Sequence, residues 1–227
     1  MIRAESLRIL LALGASKDLE IRQIDIISAY PYSKLYTTVY IKPPKALKCP
    51  KDAILLLNKS LYSLKQLGKE WYIEAYKGLK SLGFSPYFSE PSVFTTTNRS
   101  VIIGLYMDDM VVLGANLRAV QKVIQGIASL WEIKDLGDVS LILRLRIRRN
   151  RQVRTLYIDQ SEYIQGLVER FRLGDAKPLN LPITDRSALT KGQSGELQAD
   201  QGLYQEAIGC TTWVSKGSRP NITYVIG

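Results

Sequence analysis

The stretch Val101–Leu113 (VIIGLYMDDMVVL) constrains this chain more than any other, because its apolar run is interrupted only by Asp108 and Asp109 and then resumes. Two short apolar runs joined by a few polar residues are typical of a β-hairpin. The stretch therefore predicts two buried strands with the two acids at the tip between them. Adjacent aspartates are also common in ordinary solvated turns, so the pair alone leaves a purely structural interpretation open.

Asp25 is a second acid in apolar surroundings, within the sequence Ile24-Asp25-Ile26-Ile27. A buried carboxylate without a partner is costly, so we expect a cation near it. Asp25 could instead lie on an edge strand facing water, or pair with Arg22 or a lysine. Together with the hairpin acids it could hold two divalent ions roughly 3.5 to 4 Å apart, the arrangement used for nucleotidyl transfer. Mg²⁺ prefers such oxygen ligands.

The composition narrows the chemistry further. The 227 residues contain no histidine, which excludes Ser-His-Asp triads, histidine-ligated zinc and imidazole bases. The net charge is +10, which favours a polyanionic partner but also fits a merely basic soluble protein. Two cysteines are too few for a disulfide framework, and no segment predicts a signal peptide or a membrane helix. We therefore expect an intracellular protein, cytoplasmic or nuclear, that is not secreted and has no membrane partner.

Hydrophobic periodicity predicts an α+β fold in which strands are interleaved with helices. Helices are predicted at 5–15, 64–83, 117–131, 161–171 and 203–214, with Asn116 as the N-cap of the third. Besides the hairpin, strands are predicted at 21–30, 39–41, 53–57, 143–148 and 156–158, and a loop at 177–201.

The segment 143–148 alternates strictly as LRLRIR. A strand there would place its apolar side chains on one face and Arg144, Arg146 and Arg148 on the other. That basic face is either simply solvated or in contact with the backbone of a nucleic-acid duplex.

Several ordered blocks of the sequence resemble the reverse transcriptase domain of copia-type retrotransposons. Tyr106-Met107-Asp108-Asp109 is similar to the YxDD signature, and the segment 23–30 (QIDIISAY) resembles the first-aspartate motif. The segment 59–66 (KSLYSLKQ), followed by Trp71-Tyr72, is similar to the block KSLYGLKQ…WY. The segments 135–138, 163–164 and 218–222 resemble the blocks KDLGE, KYI and TRPDI. In order and spacing, the resemblance covers nearly the whole chain.

The resemblance implies a right-hand polymerase palm with partial fingers, in which helices pack an antiparallel sheet that carries the acidic hairpin. Residues of about 1–115 would form the partial fingers and the palm with this hairpin. Residues of about 116–227 would form the rest of the palm, a primer-grip-like region and the start of a C-terminal region.

The same resemblance implies an RNA-directed DNA polymerase, a nucleotidyltransferase that extends a primer with dNTPs on an RNA or DNA template. Mg²⁺, with Mn²⁺ as a substitute, would be held by the catalytic residues Asp25, Asp108 and Asp109. The implied nucleotide-binding residues are Tyr30, under the incoming sugar, Gln66, at the nucleotide or template, and Tyr106 and Met107.

The chain also departs from the family. Arg144 stands where the family usually has glycine and Arg146 where it usually has an acid, and a side chain in place of glycine can block a positive φ. The resemblance further implies that the upstream fingers, the RNase H and the integrase of a Pol polyprotein lie outside this chain. Two alternatives remain: an inactive retroelement remnant that at most binds nucleic acid, and a two-metal nuclease or nucleotide cyclase.

Overall fold

The computed structural model describes residues 1–44, 46–50, 52–61, 64, 66–179 and 200–226. The helices are α1 (Ala4–Ser16), α2 (Leu67–Ser81), α3 (Leu117–Ala128), α4 (Ser161–Arg170), α5 (Gln201–Gly217) and α6 (Thr223–Ile226). The strands are β1 (Glu20–Ile26), β2 (Tyr40–Ile41), β3 (Leu55–Leu56), β4 (Phe84–Pro86), β5 (Val93–Thr96), β6 (Val101–Tyr106), β7 (Asp109–Gly114), β8 (Ile133–Asp138), β9 (Leu141–Ile142), β10 (Leu145–Asn150) and β11 (Thr155–Asp159). This mixture of helices and antiparallel sheet confirms the α+β class.

The chain divides into two compact units, one of residues Met1–Val139 with Arg149–Leu156 and the other of Ser140–Arg148 with Tyr157–Gly227. The first unit contains an antiparallel six-stranded sheet in the order β4-β5-β6-β7-β1-β8. The second unit contains the turn between β9 and β10 and the helices α4, α5 and α6. Within the described residues, no helix is long and apolar enough to span a membrane.

Helices α2 and α3 pack against one face of the six-stranded sheet. In α3, Val120, Ile124 and Ile127 recur at helical spacing and are buried, so one stripe of the helix joins the core. The predicted cap is confirmed, because the side chain of Asn116 accepts a hydrogen bond of 2.9 Å from the Ala119 N–H.

Helix α1 packs against the other face of the sheet. Gly14 makes this possible, because a methyl group there would lie 2.5 Å from Cδ1 of Ile21 and 3.2 Å from Leu113. Ile21 is 2% exposed, whereas Asp25 and Asp109, farther along the same strands, are only partly buried. One end of this face is therefore accessible.

The strand predicted at 21–30 is too long. It ends at Ile26, because Ser28 adopts a positive φ of 52° and Tyr30–Tyr32 forms a short 3₁₀ helix. Strands β4, β5 and β8 were not predicted, since their sequences have no clear alternation. Most of the loop predicted at 177–201 lies outside the described residues.

The strand predicted at 143–148 is wrong in its first two residues. Ile142 pairs with Leu145, so Leu143 and Arg144 form the two-residue turn between β9 and β10. Both have positive φ, 53° and 60° respectively, as a type I′ turn requires. Asn or Gly is usual in such a turn. Because neither residue occurs here, the alternating pattern predicted one continuous strand.

Candidate active site

The turn between β6 and β7 consists of Met107 and Asp108, because Tyr106 pairs directly with Asp109. Met107 has a φ of 52°, whereas the φ of Asp108 is not positive, a pattern that matches a type II′ turn. Glycine is usual at the first of these positions, and a side chain there costs about 1 kcal/mol or more. The acid-bearing turn is therefore strained.

Strand β1 brings Asp25 beside this turn. Asp25 pairs with Asp109 on β7 and with Lys134 on β8. Because directly paired residues in antiparallel strands share a face, Tyr106, Asp109, Asp25 and Lys134 form one row across four strands. The two carboxylates thus stand at the centre of a polar row on the accessible end of the sheet.

The surroundings of Asp25 and Asp109 disfavour the ionised form of both side chains. Burial raises the pKa of Asp25, and the charge of Asp108 raises it further against the opposing effect of Lys134. Burial also raises the pKa of Asp109, a hydrogen bond from Gln23 lowers it, and the charges of Asp25 and Asp108 raise it again. Each of these two aspartates is harder to ionise, first because it is partly buried and second because other acids are close.

Asp25 lies neither on an edge strand nor in an ion pair with Arg22, and Lys134 is its cross-strand neighbour without an ion pair. Its strand is interior to the sheet, between β7 and β8. Arg22 pairs instead with Asp135 at 3.1 Å and Asp138 at 3.7 Å. Among the residues the structure describes, no ion pair reaches Asp25, Asp108 or Asp109.

Three donors hold the backbone and side chains of the site. Nε2 of Gln23 donates to Oδ1 of Asp109 at 3.0 Å, and the Ile26 N–H donates to the Asp108 carbonyl at 2.9 Å. Nε1 of Trp71 donates to the Met107 carbonyl at 2.6 Å. Sequence reasoning gave Gln23 and Trp71 no role. Gln23 could have been found from its position two residues before Asp25, on the same strand face.

The site has the oxygen donors that a divalent cation prefers, on neighbouring strands and with raised pKa values that a cation would relieve. In the described part of the chain, however, no three acidic or cysteine side chains already stand together as a ligand shell. The carboxylate oxygens are therefore suitable ligands for a divalent cation, but the described residues do not form a complete ligand shell in advance.

The predicted nucleotide-binding residues lie in different surroundings. Tyr30 is 1% exposed and lines a small cavity with Trp71 and Met107, so it borders the acidic turn from within the core. Gln66 precedes α2, where its Nε2 donates to Oγ1 of Thr37 at 3.3 Å. Residues 62, 63 and 65 of the same block lie outside the described residues. The nucleotide contacts remain predictions.

The three arginines of the predicted basic strand belong to the second unit. Arg146 pairs with Glu162, and Arg148 pairs with Asp159 at 2.8 Å. Arg144, in the turn, lies over the ring of Tyr163 with its guanidinium carbon 5.7 Å from the ring centre. Two of the three charges are thus already partnered within their own unit, and a duplex-contact role for all three remains a prediction.

An acidic β-hairpin beside a third strand acid is the arrangement expected of a nucleotidyl-transferring polymerase. The family described as reverse transcriptase (RNA-dependent DNA polymerase) matches residues 1–185, and the chain belongs to this family. The confirmed family and the relatives below also confirm the resemblance to reverse transcriptase domains of copia-type retrotransposons.

The chain is similar to several curated Pol polyproteins. It is 30% identical to the retrovirus-related Pol polyprotein from transposon TNT 1-94 of Nicotiana tabacum, over 100% of this chain and 18% of that protein. It is 27% identical to the Pol polyprotein from transposon RE2 of Arabidopsis thaliana, over 100% of this chain and 16% of that protein. It is 30% identical to the transposon Ty1-DR1 Gag-Pol polyprotein of Saccharomyces cerevisiae, over 95% of this chain and 13% of that protein. The chain thus spans less than a fifth of each relative, and no solved structure matches it significantly.

Proposed function

We propose that this chain is the polymerase part of a retrotransposon Pol protein and extends a primer with dNTPs on an RNA or DNA template. The observation that carries the proposal is the set of neighbouring carboxylates Asp25, Asp108 and Asp109, which no ion pair reaches among the described residues. Burial and the nearby charge of Asp108 raise the pKa values of Asp25 and Asp109. Acids arranged in this way are stabilised by a cation from solution.

Asp25, Asp108 and Asp109 would hold Mg²⁺, or Mn²⁺ in its place, which would activate the primer 3′-hydroxyl and stabilise charge on the leaving pyrophosphate. In the reaction, the 3′-oxygen bonds to the α-phosphorus of the dNTP as the bond to the β-phosphate oxygen breaks. Gln23 keeps Asp109 oriented through its amide N–H. Tyr106 extends the acidic row by one strand and offers an aromatic ring beside the nucleotide.

We assign the six-stranded sheet with α2 and α3 to a polymerase palm, and the remaining segments before the hairpin to partial fingers. The support is the antiparallel sheet that carries its acids at one accessible end. By the same proposal, Tyr30 lies beneath the nucleotide site and Gln66 contacts the nucleotide. Arg144 contacts the duplex, and RNase H and integrase parts act with this chain inside the cell.

The test is primer extension on a primed RNA template with dNTPs and Mg²⁺, then Mn²⁺, using the full chain. Extension by the wild type and none by Asp108→Asn would support the proposal. Binding of primed template without extension in either metal would overturn it and favour the inactive remnant. Hydrolysis of the template without primer extension would favour a nuclease.

The affinity for primed template, measured at several salt concentrations, shows whether a variant has lost catalysis or nucleic-acid binding. A polymerase that tracks a nucleic-acid backbone loses affinity steeply as salt rises, in proportion to the phosphates it neutralises. We therefore expect the affinity for primed template to fall with salt equally in the wild type and in Asp108→Asn. An affinity that does not depend on salt would contradict both nucleic-acid interpretations.

A further inference from the structure

Trp71 contacts the acidic turn from the interior of the protein. It belongs to α2, is 2% exposed, and its Nε1 donates to the Met107 carbonyl at 2.6 Å. This carbonyl belongs to the peptide group that joins Met107 to Asp108. The indole therefore holds the peptide plane directly before a carboxylate of the site.

The Trp71 ring is itself held in place. It packs edge-on against Trp131, with the ring centres 5.5 Å apart. Trp131 is confined in turn, because a methyl group on Gly78 would lie 2.5 Å from its ring. The next residue after Trp131, Glu132, accepts a hydrogen bond of 2.9 Å from the Ile27 N–H of the segment after β1. The indole N–H is thus presented to the turn by a close-packed support.

The turn needs such a support because its conformation is unfavourable. Met107 has a φ of 52°, where a side chain is strained, so the turn relaxes unless its surroundings fix it. The structure shows two backbone carbonyls of the turn fixed by donors, Met107 by Trp71 and Asp108 by the Ile26 N–H. Each donor comes from a different element, α2 and β1.

We infer that Trp71 is a positioning residue, which holds the strained Met107–Asp108 peptide so that Asp108 stays beside Asp25. The inference rests on the proposed function, because it assigns Trp71 a role in the same site. This role differs from core packing, because the hydrogen bond from the indole N–H, rather than the contacts of the ring, fixes the position of Asp108.

Trp71→Phe removes the N–H and retains an aromatic ring. Trp131→Phe is the matched control, since it removes the same atoms from the same core cluster, and its indole makes no hydrogen bond to the described residues. If phenylalanine at position 71 prevents folding, 3-benzothienylalanine placed at that position alone keeps the shape of the indole and lacks the N–H.

In primer extension at saturating dNTP, we expect Trp71→Phe to lower the maximal rate about tenfold while the dNTP KM changes little, because one hydrogen bond to the turn is lost. Trp131→Phe should lower the thermal midpoint by a similar amount but lower the rate only about twofold, because it loosens the packing around Trp71 and leaves the Nε1–Met107 hydrogen bond in place. Equal rate losses in the two variants would overturn the inference and leave the proposed function intact.

Amide hydrogen exchange tests the inference without any activity. Trp71→Phe should speed exchange at Ile26, whose N–H bonds the Asp108 carbonyl, by about fivefold or more. Trp131→Phe should instead speed exchange at Ile27, whose N–H bonds the Glu132 carbonyl. Unchanged exchange at Ile26 in Trp71→Phe would overturn the inference. Failure of the wild type to extend a primer would overturn the proposed function alone, since the exchange result still decides what Trp71 does.

Discussion

Strand β1 has acids at both of its ends, and the two ends differ in what meets those acids. At the start, Asp18 and Glu20 are bound by Arg149 and Arg151, with all three contacts at 2.9 Å. At the other end, Asp25 meets two further carboxylates. Contact with Arg151 lowers the pKa of Asp18, whereas burial and the charge of Asp108 raise the pKa of Asp25.

Under the proposed function, this difference separates an acid that stabilises the fold from an acid that binds a ligand. The chain has a net charge of +10, so cations are plentiful, and two arginines converge on the first end. At the second end Lys134 is the cross-strand neighbour of Asp25, but no ion pair among the described residues reaches the three carboxylates. The first end thus has its counterions within the protein, whereas under the proposed function a cation from solution would serve the second end.

The largest effect should come from the second end. Asp25→Asn keeps the shape of the side chain and removes a charged ligand, so primer extension should fall by roughly a thousandfold, as expected when several kcal/mol of charge stabilisation are lost. The measurement is the single-turnover extension rate in saturating Mg²⁺ and then Mn²⁺. Extension within tenfold of the wild type would remove Asp25 from the catalytic set.

A smaller effect should follow from the loss of the Gln23 side-chain donor. Gln23→Met preserves the length of the side chain, but Asp109 then loses the hydrogen bond that opposes the effect of burial on its pKa. We expect about a tenfold lower rate, and an acidic limb of the pH–rate profile that moves to higher pH. The exposed Gln125→Met on α3 is the matched control and should leave both quantities unchanged. An unmoved acidic limb in Gln23→Met would contradict the expectation.

Stability should respond in the opposite sense to activity at the same site. Without divalent cations at pH 7, Asp25→Asn should raise the thermal midpoint by roughly 2 to 4 °C, because the charged form of Asp25 is disfavoured in the fold. A raised folded-state pKa means that this penalty is fully present above that pKa and disappears as the pH falls to about 4, the unfolded value. The gain should therefore vanish in acid and be reversed by Mg²⁺. A variant less stable than the wild type at pH 7 without metal would refute this.

The smallest effect on activity should come from the first end. Asp18→Asn should leave primer extension unchanged and lower the thermal midpoint at pH 7, because two arginines lose their charged partner. Since the pKa of Asp18 is lowered by folding, its stabilisation is present above about pH 4 and is lost as the pH falls through the lowered value. High salt should shrink the difference. A loss of primer extension in Asp18→Asn would contradict the view that the acids at the start of β1 are only structural.

The sequence predicted the strand that carries Asp25 and the hairpin that carries Asp108 and Asp109, because apolar runs around these acids leave few other structures for those segments. It did not reveal how they are held. Trp71 lies 36 residues from Met107, and only the packing of α2 on the sheet brings its N–H to the turn. Strand β8 was missed since Lys134, Asp135 and Asp138 give it the charge of a loop. Local patterns specify local structure, and these features depend on partners that are distant in sequence.

The turn at Leu143 and Arg144 has a genetic consequence. Arg144 holds a φ of 60° that glycine adopts without strain, and every arginine codon differs from a glycine codon by a single base. Relief of this backbone strain is thus one point mutation away. The Arg144→Gly chain would therefore form the same turn at a lower conformational cost than the present chain.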